Sequence, residues 1–164
     1  MRILQGTDRA GGLRIGLIVS RYHAFVTERL ERGAIEALRA AGAADERIAV
    51  LRVPGAFEIP QAARRAADTG AFDALVCLGC LIRGATPHFD YIASAVAHGL
   101  TEASAATGVP IAFGVLTTNS AEEALERAGD GPANKGWEAA RAAIEMATLF
   151  AQVRRTAPPP GIPV

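Results

Sequence analysis

Short, nearly uninterrupted apolar runs alternate along the chain with segments whose apolar residues recur every three or four positions. The runs Leu13–Ser20, Arg47–Val53, Ala74–Ile82 and Pro110–Thr117 are rich in Val, Ile and Leu, the pattern of strands covered on both faces. A shorter strand is expected at Arg2–Gln5, set apart from the others by the glycine-containing stretch 6–12. Between the runs, Val26, Leu30, Ala34 and Leu38 fall on one helical face, and Gly42 follows as a natural terminator. Thr86-Pro87 reads as an N-cap followed by proline at the first helical position, opening a helix to about Thr107 with Gly108 beyond it. Ser120-Ala-Glu-Glu123 has the form of a capping box, with Gly129 ending that helix. A last helix is expected from Asn134 to Val153.

Strand–helix alternation with short connections predicts a parallel sheet flanked by helices, the doubly wound α/β class, in a three-layer, four-stranded, flavodoxin-like arrangement. The 164 residues suit one domain, 1–155, and the proline-rich tail 156–164 has little to bury and is expected to be disordered. Seventeen basic residues balance seventeen acidic ones, which gives no electrostatic footprint for nucleic acid or an anionic membrane. No apolar run is long enough to span a bilayer and no targeting segment is visible, so a cytoplasmic location is expected.

In an open parallel sheet, ligands bind beyond the carboxyl ends of the strands. Four loops meet that description: Arg21-Tyr22-His23, Pro54 to Glu58, Arg83 to His88, and Thr117-Thr118-Asn119. In the third, Gly84 allows close backbone approach, and the helix start at Thr86 offers N–H groups and a dipole suited to phosphate. His88, in the first turn, is expected to be neutral and able to accept a proton, although a plain surface histidine is an equally good local reading. Glu58 reads either as a carboxylate favoured by a helix dipole or as an acceptor for polyol hydroxyls. Tyr22 offers an aromatic face or caps the core. Arg127 falls in the last turn of a helix, where a cation is favoured, and Lys135 near the start of one, where it is not. His23 and His98 have no evident partners.

Cys77 and Cys80 form a C-x-x-C spacing, but inside a strand the two side chains point to opposite faces, which argues against a redox pair or a metal site. Phosphate-loop, dinucleotide-fold and serine-elbow motifs are absent, as is a metal-spaced His/carboxylate cluster. Nucleotide hydrolysis, Rossmann redox chemistry, serine hydrolysis and metal catalysis all lose ground.

Several longer motifs occur in order: Val53-Pro-Gly-Ala-Phe-Glu-Ile-Pro60, Leu78 to Tyr91, Phe113-Gly-Val-Leu-Thr-Thr118, Ala124 to Gly129, and Asn134-Lys-Gly136. Together these resemble the lumazine synthase family over residues 13 to 150. The resemblance implies condensation of 5-amino-6-(D-ribitylamino)uracil with 3,4-dihydroxy-2-butanone 4-phosphate, the penultimate step of riboflavin biosynthesis, with no metal or organic cofactor. It implies that Tyr22 stacks on the pyrimidine, that Ala56, Phe57 and Glu58 hold the ribityl chain, and that Cys80, Leu81 and Ile82 read the pyrimidine edge. It implies that Ala85 and Thr86 bind the phosphate and that His88 shuttles protons. Phe113, Lys135 and the phosphate-binding Arg127 are implied to belong to the neighbouring subunit's half of the site. The partners implied are further copies of the chain, as pentamers or as twelve pentamers in an icosahedral shell, with riboflavin synthase as a candidate guest. Residues 129–134 have a length compatible with the shell-forming type, and the Arg2–Gln5 strand is expected to join the neighbour's sheet.

Two positions depart from the family pattern. Tyr22 stands where Phe or Trp is usual, and His23 where Asn is common. A relative that binds a lumazine or flavin without turnover is the alternative; His88, Arg127 and Lys135 together argue against it. A flavodoxin-like signalling module lacks the acidic cluster it would need at the strand ends.

Overall fold

A computed structural model describes residues 1–156. Four parallel strands, β1 (Ile15–Ser20), β2 (Ile48–Val53), β3 (Ala74–Ile82) and β4 (Ile111–Thr118), form one sheet in the order β2-β1-β3-β4. Five helices flank it: α1 (Ala24–Ala40), α2 (Ile59–Asp68), α3 (His88–Thr107), α4 (Ala121–Arg127) and α5 (Lys135–Thr156). The α/β class and three-layer arrangement are those expected from the sequence. No helix among the described residues is long and apolar enough to cross a membrane.

The sheet divides the core in two. Val26, Leu30, Ala34 and Leu38 of α1 pack with Ala140 and Ile144 of α5 on one face, against Leu17, Val19, Val76 and Leu78. Ile59 and Ala63 of α2 and Val96 and Leu100 of α3 cover the other, against Ile18, Leu75 and Cys77. Only the central strands are covered throughout. All of β1 is buried, as is β3 from Ala74 to Cys80, whereas β2 and β4 are sheet edges and leave Val50 and Phe113 exposed. Composition alone predicted full coverage for all four, because an edge strand packs one face and still reads as apolar.

Local signals account for most element ends. Gly42 takes φ +89° after α1, and the bonds Ala43 N to Leu38 O and Gly42 N to Arg39 O complete a Schellman motif. Ser120 Oγ accepts from Glu123 N at 3.2 Å, while the Glu123 carboxylate accepts from Asn119 N at 3.0 Å, one residue beyond the usual capping-box partner. One expectation changes. Thr86 makes no cap: α3 begins at His88, with Pro87 as its N-cap and no side-chain bond there, because the chain enters the helix one turn position later than the Thr-Pro pair suggested. Arg2–Gln5 forms no strand with the described residues of this chain; Thr7 N and Gln5 O are held by Thr148 Oγ1 and Gln152 Nε2 of α5. Of the tail, Thr156 ends α5 and the remainder lies outside the described residues.

The start of α5 rests on Asn134, a residue with 2% exposure. Its Oδ1 accepts from Gly136 N at 2.7 Å and Trp137 N at 3.3 Å, and its Nδ2 donates to Gly129 O at 2.7 Å and Arg29 O at 3.1 Å. One amide thereby caps α5 and ties it to α1 and to the end of α4. Gly136 lies so close to Leu30 O that no side chain fits there. Asn134→Ala is expected to cost about 2–4 kcal/mol, the cap plus the two part-buried bonds to Gly129 O and Arg29 O, against about 1 kcal/mol for Ser120→Ala, whose cap is half-exposed. Urea unfolding of both variants checks the ranking; equal losses would contradict it.

Cys77 and Cys80 are free and belong to opposite core faces, as strand geometry requires. Burial pushes the Cys77 thiol up and the Cys80 thiol up to about 11. Near neutral pH a thiol reagent should leave both unmodified in the folded protein and modify both once it is unfolded; rapid labelling of Cys80 would show that its end of the core is open.

Candidate active site

Because α1 leaves β1 toward one face of the sheet and α3 leaves β3 toward the other, a crevice opens between the adjacent carboxyl ends of β1 and β3. It is a groove of about 850 Å³ walled by Tyr22 and His23 after β1, Gly55 to Glu58 after β2, Cys80 to Ile82 at the end of β3, and Gly84, Thr86, His88, Phe89, Tyr91 and Ile92 leading into α3. Three of the four loops singled out from the sequence therefore meet. The fourth does not join them: Thr118 Oγ1 donates to Ser120 O, Thr118 O accepts from Arg83 N, and Asn119 N is held by Glu123, so these groups are used at the start of α4.

The groove floor comes from strand register. β1 pairs with β3 as far as Val19 opposite Leu78, while β4 follows β3 on to Ile82 opposite Thr118. The β1-side edge of Cys80–Ile82 thus has no strand partner and presents backbone donors and acceptors to the groove.

Each wall is fixed locally. Tyr22 N donates to Ser20 Oγ at 3.2 Å, yet the Tyr22 ring is 66% exposed. Ala56 is buried and turns the chain through a short 3-10 segment, which leaves Phe57 61% exposed on the groove. Glu58 is the N-cap of α2 without making a cap bond, and a side chain at Gly55 would press on its Oε2 at 3.0 Å. Space around Gly84 is open, so packing within this chain does not require glycine there. Arg83 turns out to be committed: it donates to Asp90 through Nη1 and Nη2 at 3.0 and 2.9 Å, and its guanidinium lies 4.3 Å from the Phe89 ring centre. Those hydrogen bonds hold the Asp90 carboxyl below its ordinary range. The pair braces the loop that carries Ala85, Thr86 and His88. Of these, Thr86 and His88 reach the groove wall and are exposed, while Ala85 does not line it.

Phe113, Arg127 and Lys135 are not in this groove. They line a second one of about 390 Å³ over β4 and α5, which shares no residue with the first. Arg127, the last residue of α4, donates through Nη1 to Glu123 O at 3.0 Å. Lys135 Nζ donates to both carboxylate oxygens of Glu138 at 2.7 and 2.8 Å, which offsets its unfavourable place at a helix start. Phe113 is 50% exposed. Sequence reasoning missed Tyr91, Phe89 and Ile92 on the α3 wall, and Glu138 beside Lys135. Tyr91 follows His88 by three residues and Glu138 follows Lys135 by three, a helical spacing that could have flagged both. His23, left without partners from sequence, also lines the first groove. His98 does not; its Nδ1 lies 2.9 Å from Ser94 O on α3. No group of three or more His, Cys, Asp or Glu among the described residues is arranged to hold a metal.

Comparison with known proteins gives this geometry a context. The family described as 6,7-dimethyl-8-ribityllumazine synthase matches residues 12–151. A 6,7-dimethyl-8-ribityllumazine synthase of Desulfatibacillum aliphaticivorans is 50% identical over 153 residues, covering 93% of this chain and 99% of that protein. The matched span takes in every loop of both grooves, and the chain belongs to the 6,7-dimethyl-8-ribityllumazine synthase family.

Proposed function

We propose that the groove between β1 and β3 is one half of an active site that a second copy of the chain completes with its Phe113–Arg127–Lys135 groove. Membership of the family makes the chain a transferase of riboflavin biosynthesis. It condenses 5-amino-6-(D-ribitylamino)uracil with 3,4-dihydroxy-2-butanone 4-phosphate to 6,7-dimethyl-8-ribityllumazine, releasing phosphate and two waters. The observation that carries the assignment of the site is the convergence of nine residues, Tyr22, Ala56, Phe57, Glu58, Cys80, Leu81, Ile82, Thr86 and His88, on one groove.

In this reading the Tyr22 ring covers the pyrimidine face. The unpaired backbone edge of Cys80–Ile82 matches the alternating donors and acceptors of the pyrimidine edge. Glu58, which can only accept, takes hydrogen bonds from ribityl hydroxyls alongside the backbone of Ala56 and Phe57. The phosphate sits by Ala85 and Thr86 at the positive end of the 20-residue α3. Arg127 of the second copy supplies the neutralising charge, with Lys135 and Phe113 closing the pyrimidine side.

In the same reading His88, the first residue of α3, serves both subsites. Attack of the pyrimidine's primary amine on the ketone expels water, which requires proton transfer from nitrogen to oxygen. Loss of phosphate then takes a proton from carbon, and closure on the ribityl-bearing nitrogen expels the second water. An imidazole can give and take each proton near neutral pH. Most of the acceleration comes from holding two reactants together in an oriented, partly water-excluded space.

Two grooves that share no residue, the first with exposed Tyr22, Phe57 and Tyr91 and the second with exposed Phe113, support a head-to-tail contact in which the first groove of one copy meets the second groove of the next. Such a contact forms a ring where its rotation closes, and the family resemblance favours closure as a homopentamer. Ile3, 75% exposed on a segment without a strand partner, suits pairing with the neighbour's sheet edge. An icosahedral shell of twelve pentamers, with riboflavin synthase inside, rests on family resemblance alone.

Mixing the two substrates with the protein should give a fluorescent lumazine and free phosphate; binding of the pyrimidine with neither product would favour the non-catalytic relative instead. The shared site makes a sharper demand. His88→Ala and Arg127→Ala should each be nearly inactive, but subunits of both, unfolded and reassembled in equal amounts, should regain about one site in four, because a heterologous contact then pairs two intact halves. A mixture no more active than its components would place both residues in the same chain's site.

A further inference from the structure

Among the described residues, His23 is the one non-glycine residue with positive φ, at φ 58° and ψ 48°, a left-handed conformation that a β-carbon disfavours. It stands where the chain must turn from the end of β1 into α1 within three residues, and its carbonyl accepts from Val26 N and Thr27 N at 2.9 and 3.1 Å. Its imidazole is packed edge-on between two rings, 4.6 Å from that of Tyr22 at 68° and 5.8 Å from that of Phe25 at 86°. Partial burial holds the imidazole below its ordinary pKa, in keeping with a neutral ring in an aromatic row. Tyr22 itself is mostly exposed, and its one aromatic contact among the described residues is His23.

We propose that His23 is a positioning residue for pyrimidine binding: its left-handed backbone turns Tyr22 out over the groove, and its imidazole, braced by Phe25, sets the plane of the Tyr22 ring before substrate arrives. The inference rests on the reading of Tyr22 as the stacking face. An exposed tyrosine held by backbone alone exchanges rotamers freely, and binding then carries the cost of ordering it. An edge-to-face neighbour removes most of that cost in advance. His23 acts through Tyr22 and touches no reacting atom.

The two contributions separate by substitution. His23→Asn keeps a residue that tolerates the left-handed conformation and removes the ring, whereas His23→Ala removes the ring and strains the turn. Both should raise KM for the pyrimidine roughly three- to tenfold, with kcat and KM for the phosphorylated substrate within about twofold of wild type. Only His23→Ala should also lower the melting temperature. The decisive measurement is a double-mutant cycle: in a Tyr22→Leu background, His23→Asn should produce no further rise in pyrimidine KM. An unchanged KM in His23→Asn, or the same rise with and without Tyr22, would overturn the inference while leaving the enzymatic reading intact. A wild-type protein that makes no lumazine and binds no pyrimidine would remove both.

Discussion

The site depends on one constraint, the burial of β1 and β3 side by side with both faces covered. Every side chain of β1 and those of β3 as far as Cys80 are enclosed, and each buried Val, Ile or Leu contributes about 1.5–3 kcal/mol. So apolar a pair of strands has no room for polar chemistry along its length, and the reactive groups are displaced to the carboxyl ends. There α1 and α3 depart to opposite faces and hold a crevice open. β3 runs on past the end of its pairing with β1, so the crevice acquires a floor of unpaired backbone. Arrangement and chemistry share a single origin in strand order and register.

That order also fixes what one chain cannot do. β4 lies on the far side of β3 from β1, and the groove over β4 shares no lining residue with the crevice. Tyr22, Phe57, Tyr91 and Phe113 stand 50–74% exposed, an arrangement unfavourable for a monomer unless something covers the rings. In the reading advanced above, the next copy and the substrate share that task, and the phosphate-binding cation arrives with the covering surface.

Much of the fold was legible because hydrophobic period reports element type directly. The α1 face, the Gly42 terminator and the opposite placement of Cys77 and Cys80 follow from period and geometry alone. What failed was whatever depends on a partner elsewhere in the chain. Coverage of β2 and β4 is decided by sheet order, which composition does not encode. From sequence Arg83 is only the start of a site loop; its engagement by Asp90, seven residues on, is not legible there. Asn134 read as one letter of a motif, and its four hydrogen bonds reach α1 and the end of α4, a role no local pattern announces. The convergence of three loops was foreseeable from the parallel-sheet rule; the separation of Arg127 from His88 came only with the family resemblance.

The groove achieves order without burying its polar side chains. Its loops are pinned through backbone and bracing groups: Tyr22 N on Ser20, Arg83 N on Thr118, the Arg83 guanidinium on Asp90 and Phe89. The groups of this groove assigned to substrate, the Glu58 carboxylate and the His88 imidazole, have no protein hydrogen-bond partner among the described residues to give up on binding, whereas Arg127 and Lys135 of the second groove are engaged by Glu123 O and Glu138. For the proposed mechanism, in which orientation of two reactants supplies most of the acceleration, this division of labour places the cost in ordering and not in strain. Rigid loops with uncommitted side chains let substrate displace only water.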